Sequence, residues 1–213
     1  HKYDEAEKAF HESQTAYEKV NGKVGDGYHA ILSARIVNCH YRGKPDQALE
    51  WQKQLQGSPA GKRAYGDVAA SLGNFYHGRG DLSRADGYYR EALQAFNRNI
   101  EDDLLRYAET NLMLATLCAD QGNTTESMQR IAESQAIVEK RKGKQSVLYF
   151  VTLIRLGEVE TQADKLPAAA AAFGEASVLL PSLRNVPPSE RSILLNGLGE
   201  LAAKSGDFRK ADS

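Results

Sequence analysis

The sequence is poor in cysteine and tryptophan. Its 213 residues include two cysteines and one tryptophan. Cys39 and Cys118 are too few and too far apart for the disulfide framework of a small secreted domain, and neither belongs to a CxxC motif. Both lie in apolar, helix-like stretches, where a free thiol packs as a small hydrophobic side chain. We therefore expect two buried free thiols in a protein of a reducing compartment, the cytoplasm.

An excess of charge and a long apolar run are also missing. The 27 basic and 28 acidic residues give a formal net charge of −1. Because a nucleic-acid-binding protein usually carries a basic face, we predict no nucleic-acid partner. A basic run at residues 139–145, EKRKGKQ, has no interleaved aromatic residues and is predicted to be a solvated linker. No apolar run approaches the twenty residues that span a bilayer, so we predict no membrane contact.

The motifs of common catalytic and cofactor sites are absent. The sequence has no GxxxxGK[ST] loop, no HExxH helix and no GxSxG elbow. Cys39 and His40 are neighbours, but adjacent side chains on a helix point about 100° apart and do not face each other. The histidines also lack metal-ligand spacing. We predict no enzymatic activity, cofactor or metal within these residues, and a catalytic domain outside them stays an open alternative.

The sequence does contain an internal repeat. Five turn segments rich in Gly, Asp or Pro separate stretches in which apolar residues recur at helical spacing, and no strand pattern competes. Each unit is therefore predicted to be an antiparallel helical hairpin, and the chain to be all-α. The small residue that opens the second helix recurs at intervals of 42, 37, 42, 42 and 42 residues, at Ala6, Ala48, Ala85, Ser127, Ala169 and Ala211.

The same residue types recur at equivalent positions of these hairpins. The first helix carries a Leu-Gly pair, and the second carries a small residue followed four positions later by an aromatic residue. This pattern resembles the tetratricopeptide repeat family over essentially the whole chain. The resemblance implies a right-handed α-solenoid of antiparallel helical hairpins. The matching residues are Leu72, Gly73, Tyr76, Ala85, Tyr89 and Ala92 in one unit, Leu156, Gly157, Ala169, Phe173, Ala176 and Pro181 in another, and Leu198, Gly199 and Ala211 in the last.

The period of 42 residues departs from the usual 34 of the family. About eight extra residues make roughly two helical turns, one for each helix of the hairpin. Such long units are similar to those of kinesin light chains and of bacterial signalling proteins. The second helix that Ala48 opens, at the start of the 37-residue interval, is expected to be truncated, with Trp51 covering the gap.

The repeat phase predicts a single array that is a fragment of a longer protein. It begins with a second helix that has no first helix before it, and it stops soon after a new second helix has begun. The uncovered end faces are expected to allow end-to-end stacking with another copy. The predicted units are 1–22, the second helix of a cut repeat; four repeats at 23–60, 61–100, 101–143 and 144–185; and a partial repeat at 186–213.

In this family the first helices line the concave face, so the resemblance implies a partner-binding surface there. Asn74 matches the family's carboxylate clamp, but Ser33 stands where its lysine would be, and nearby acids would repel an acidic tail. We expect a protein or peptide partner with a neutral or basic segment. The predicted partner-binding residues are His40, Tyr41, Asp67, Asn74, His77, Glu109, Thr116, Arg155, Glu158, Asn196 and Glu200.

Two functional hypotheses follow from this organisation. The first is a non-catalytic scaffold that mediates protein–protein or peptide binding within a larger regulatory or adaptor protein. The alternative is an effector-sensing module that binds a small molecule or peptide and controls an attached protease, kinase or transcription factor. The tripeptide Arg79-Gly80-Asp81 is similar to an adhesion motif, but it occupies a repeated turn position and is predicted to be a hairpin turn.

Overall fold

The computed structural model describes residues 2–206, and the regular structure of this part of the chain is entirely helical. Two short 3₁₀ helices, Pro45–Ala48 and Leu180–Ser182, accompany the α-helices. The α-helices are α1 (Lys2–Asn21), α2 (Asp26–Tyr41), α3 (Leu49–Gln56), α4 (Pro59–His77), α5 (Leu82–Ala95), α6 (Glu101–Asp120), α7 (Thr124–Lys142), α8 (Val147–Gln162), α9 (Leu166–Leu179) and α10 (Pro188–Lys204).

Consecutive helices pack as antiparallel pairs, which confirms the predicted all-α class of helical hairpins. The helices form two compact units, residues 1–106 and residues 107–213, and the boundary falls within α6. We refer to them as unit 1 and unit 2. The right-handed twist of the array and the repeat boundaries stay predictions. The repeat position Ala211 lies outside the described residues.

The same backbone turn joins the two helices of each hairpin. After Gly80, which has φ of +74°, the Asp81 amide donates to the Tyr76 carbonyl at 3.0 Å. This bond to the carbonyl five residues earlier, made across a left-handed residue, is a Schellman end of the first helix. The left-handed position recurs in repeat phase at Gly43, Gly80, Gly122, Asp164 and Gly206, with φ between 60° and 80° at each.

The tripeptide Arg79-Gly80-Asp81 is therefore part of a hairpin turn, as predicted. Asp81 is the N-cap of α5, because its carboxylate accepts from the Arg84 amide at 3.1 Å. The Arg79 guanidinium lies over the Phe75 ring, 4.1 Å from its centroid. Both charged side chains are held by neighbouring groups of the hairpin.

Aromatic rings of second helices pack directly on glycines of first helices. A Cβ at Gly73 would lie 2.4 Å from the Tyr89 ring, and one at Gly157 would lie 2.5 Å from the Phe173 ring. Both rings are completely buried. Since real Cβ atoms do not approach a ring so closely, only glycine at these positions allows the two helices their observed separation.

A second contact within each hairpin joins a tyrosine of the first helix to a polar residue of the second. Tyr107 donates to Glu133 at 3.2 Å, and 26 residues separate them. Sequence reasoning missed this pattern, although the tyrosine recurs in repeat phase. The pairs with this separation of 26 residues are Tyr28 with Gln54, Tyr65 with Glu91, Tyr107 with Glu133 and Tyr149 with Glu175.

The short unit has the truncated second helix that its length predicts. Helix α3 has 8 residues and follows the 3₁₀ turn Pro45–Ala48. Trp51 packs on α2, where the Arg35 guanidinium lies 3.9 Å from its ring centroid. Arg35 also donates to Glu7 of α1 at 2.9 Å. The tryptophan thus packs against a buried arginine beside the shortened helix.

Both cysteines are free and buried, as predicted. Burial raises the pKa of the Cys39 thiol, which keeps it protonated and unreactive near neutral pH. Among residues 2–206, no helix is both long and apolar enough to cross a membrane.

The contact of Gly73 with Tyr89 can be tested against an open glycine of the same hairpin. Gly73→Ala should lower the free energy of unfolding by about 1–3 kcal/mol, since the new methyl group overlaps a buried ring. Gly87 is exposed on α5 and a Cβ there meets nothing within 4 Å. Gly87→Ala should instead raise the free energy by up to about 1 kcal/mol through helix propensity. Urea unfolding followed by circular dichroism measures both, and equal effects would contradict the packing argument.

Candidate functional site

Three helices of unit 1, α1, α2 and α4, line an open apolar groove of about 730 Å³. Its lining includes small side chains of α2, among them Ala30, Ser33 and Ala34. Tyr3 of α1 stacks on Tyr41 of α2, with ring centroids 5.3 Å apart, at one edge. The walls combine Tyr3, Ala6 and Phe10 of α1; Ala30, Ser33, Ala34, Val37 and Tyr41 of α2; and Ala64, Asp67 and Val68 of α4.

Several charged groups of the groove already have partners within unit 1. Arg63 forms an ion pair with Asp103 at 2.6 Å. Asp67 forms another with Arg106. The remaining rim charge includes Lys2 and the exposed Asp26, which have opposite signs. The groove is therefore close to neutral, and a partner gains most by burying apolar side chains there.

Of the predicted binding residues in unit 1, Tyr41 and Asp67 lie in this groove. Asn74 is exposed, but its side-chain oxygen accepts from the Tyr89 hydroxyl at 2.7 Å. His77 meets the same tyrosine ring edge-on, with centroids 6.4 Å apart. Both residues are thus held against α5, and they lie outside the walls of the groove.

His40 lies in the interior of unit 1 and is only 2% exposed. Its Nδ1 is 2.9 Å from the Tyr76 hydroxyl, and its ring meets Tyr76 and Tyr88 edge-on. Burial, with a smaller contribution from the positive charge of Arg84, lowers the pKa of His40 to about 4. The ring is neutral near pH 7 and is buried. His40 is therefore not part of an accessible binding surface.

Several predicted residues of unit 2 make contacts within that unit. Arg155 donates to Glu158 at 2.9 Å and to Glu190 at 3.4 Å. Burial raises the pKa of Glu158, although the Arg155 charge acts in the opposite direction. Thr116 donates to the Leu112 carbonyl at 3.2 Å. The exposed members are Glu109 on α6 and Asn196 and Glu200 on α10.

Sequence reasoning predicted Asp67 of α4 but missed the α1 wall of the groove and the apolar part of its α4 wall. Phe10, Ala64 and Val68 have no polar character that would mark a binding surface, and all three follow the core period of their helices. The available signal was the repeat phase of α1, which gives this helix the residue pattern of a second helix.

The lining of the groove is mostly apolar. Within residues 2–206, no group of three or more His, Cys, Asp or Glu side chains could hold a metal ion. An open apolar groove beside a few fixed polar groups suits recognition of another molecule.

No family model and no curated protein matches the chain. Among solved structures, it is similar to BtubC (BKLC) from P. vanneervenii, with a TM-score of 0.76 and 18% sequence identity. The match covers 99% of this chain and 85% of that one. This likeness confirms, at the level of the fold, the resemblance to tetratricopeptide arrays of the kinesin-light-chain type. Folds of this type are generally non-catalytic.

The burial of His40 predicts a specific pH dependence of stability. Its pKa falls from 6.5 to about 4 on folding, so the unfolded chain binds more protons between these values. The free energy of unfolding should therefore decrease as pH falls through this window, by about 2 kcal/mol between pH 7 and pH 5. Urea unfolding at both pH values measures this change.

The variant His40→Gln should lose this part of the pH dependence, whatever its own stability at pH 7. His11→Gln, at an exposed position on α1, serves as the matched control and should retain it. An unchanged difference between pH 7 and pH 5 in His40→Gln would overturn the assignment.

Proposed function

We propose that the chain is a non-catalytic protein-binding array and that the groove of unit 1 is its principal binding site. The observation that carries this proposal is the open, mostly apolar groove of about 730 Å³ between α1, α2 and α4. Burying apolar side chains of a partner in such a groove contributes roughly 25 cal/mol for each Å² removed from water.

The partner segment is neutral or basic and brings apolar side chains. Arg63 and Asp67 already have opposite charges beside them, so neither requires a charged partner group. An acidic tail would meet the exposed carboxylate of Asp26 without a clamp lysine at Ser33. Tyr41 contributes a half-exposed ring that can cover the bound segment. We also propose that Arg155, Glu158 and Asn196 of unit 2 make polar contacts with a partner.

The proposal places this array within a larger regulatory or adaptor protein of the cytoplasm. Two buried free thiols, Cys39 and Cys118, support a reducing compartment. We retain the repeat units inferred from the sequence as the organisation of the array.

The effector-sensing alternative is favoured by one observation, the volume of the same groove. About 730 Å³ lies within the range of small-molecule sites. Three helices leave the groove open along its length, which suits an extended or helical segment better than an enclosed small molecule. Titration with candidate peptides and with metabolite mixtures separates these two occupants.

The groove can be blocked from an exposed position. Ala30 is exposed on α2 and lines the groove, so Ala30→Trp should fill it without disturbing the core. Helical peptides selected from a displayed random library against the wild-type chain should bind this variant at least tenfold more weakly, about 1.4 kcal/mol. Isothermal titration calorimetry measures the affinities.

Ala136→Trp, at an exposed alanine of α7, provides the matched control and should bind the selected peptides as the wild type does. Thermal unfolding of both variants checks that the fold is retained. The proposal fails if Ala30→Trp leaves peptide affinity unchanged, or if the selected peptides owe their binding to an acidic terminus.

A further inference from the structure

The basic run at residues 139–145 is not a linker along its whole length. Helix α7 continues to Lys142, so Lys140, Arg141 and Lys142 lie in its last turn. All three side chains are exposed. This sets α7 apart, since the last turn of every other described α-helix holds at most one basic residue.

Further cations lie beside this turn. Gly143, with φ of +76°, ends α7, and Lys144 follows it. The Ser182 hydroxyl donates to the Gln145 side-chain oxygen at 3.0 Å, which joins the 3₁₀ helix after α9 to the linker after α7. Arg184 is exposed shortly after Ser182. We call this set of cations in unit 2 the basic edge: Lys140, Arg141, Lys142, Lys144 and Arg184.

Most of the positive charge of the basic edge is uncompensated. Glu139 pairs with Lys144 at 3.4 Å, and both side chains are about half exposed. Within residues 2–206, no acidic side chain pairs with Arg184 or with the three cations of the last turn of α7. Exposed cations without acidic neighbours create a positive potential that attracts anionic groups.

The helix macrodipole explains only part of this arrangement. Basic residues in the last turn of a helix interact favourably with the partial negative charge of its carbonyl end. This effect accounts for the cations of the last turn of α7. Lys144 and Arg184, however, lie outside the α-helices. A role at the helix end therefore does not explain why cations of two linkers lie on the same edge.

We propose that the basic edge binds a short acidic segment of a partner protein, in which several carboxylates follow one another along an extended chain. The guanidinium groups of Arg141 and Arg184 each suit a carboxylate, which can accept two parallel hydrogen bonds. The lysines contribute further positive charge. This surface goes beyond the proposed function, because it lies in unit 2 rather than in the groove of unit 1, and its partner segment is acidic.

The surroundings of the basic edge favour an acidic protein segment over a nucleic acid or a membrane. Among the exposed side chains of residues 139–149 and 180–187, none is aromatic, so the edge has no platform on which a base could stack. Carboxylates also border the edge. Glu133 and Glu139 precede the basic turn on α7, and Glu175 accepts from Tyr149 near the start of α8. A bilayer or a long duplex would bring phosphates towards these carboxylates, whereas a short segment contacts the cations alone.

Fluorescence anisotropy with a labelled octaglutamate peptide tests the proposal on the full chain. The peptide should bind the wild type, and a labelled octaglutamine peptide should not. A tenfold rise in NaCl concentration should weaken octaglutamate binding severalfold, because salt screens interactions between exposed charges.

Charge-removing variants locate the site. The triple variant Lys140→Gln, Arg141→Gln and Lys142→Gln should bind octaglutamate at least tenfold more weakly. Arg184→Gln alone should weaken binding severalfold, although this residue lies outside the last turn of α7 and its loss does not affect the helix macrodipole.

A matched control removes the same net charge from unit 1. The triple variant Lys8→Gln, Lys19→Gln and Lys53→Gln changes exposed positions and should bind octaglutamate as the wild type does. Circular dichroism melts check that all variants fold. Ala30→Trp, in the groove of unit 1, should also leave octaglutamate binding unchanged, so the two binding surfaces are tested separately.

The proposal is overturned if octaglutamate does not bind the wild type, or if the basic-edge triple variant and its control bind the peptide equally. Unchanged binding by Arg184→Gln overturns the inclusion of the second linker. A labelled DNA duplex and phosphatidylserine vesicles test the other classes of anionic partner. Tighter binding of either one than of octaglutamate, lost in the basic-edge triple variant, overturns the choice of a protein partner.

Discussion

The packing of a large side chain of the second helix on a small residue of the first is the contact on which these hairpins depend. Tyr89 on Gly73 and Phe173 on Gly157 bring two helices together at a distance that any larger residue at the glycine would prevent. The hairpin of α6 and α7 packs in the same way with side chains of other sizes. There Ala115 stands in the glycine position, Ile131 replaces the ring, and Ser127 donates to the Ala115 carbonyl at 2.7 Å. A complementary pair of volumes, rather than one residue type, is the constraint.

Two further contacts act at the ends of the hairpins. The left-handed turn closes one end by satisfying carbonyl groups of the first helix, and Asp164 takes this conformation where the other turns have glycine. The tyrosine pairs fasten the other end, and burial with the Glu91 charge raises the pKa of Tyr65, so it remains a donor. The groove of unit 1 lies outside these contacts, between α1, α2 and α4.

Much of the fold was predictable because each structural feature recurs at equivalent positions in several units of the sequence. The turn glycines, the ring positions and the shortened α3 all followed from aligning equivalent residues. The candidate site was less predictable. Tyr41 and Asp67 do line the groove, but His40 is buried and Asn74 is engaged by Tyr89. Helical spacing assigns a residue to one side of its helix, yet it does not say whether a neighbouring ring covers that side.

The sequence by itself determined the helical hairpins, their phase and the absence of a catalytic motif, since these depend on local periodicity and on turn residues. Only the tertiary structure decided which equivalent positions are covered. Leu153 and Leu195 have the same residue type and repeat position, yet one is buried and the other is 68% exposed. Burial depends on whether another helix lies against a face. The position of Phe10 beside an open groove is one consequence of this dependence.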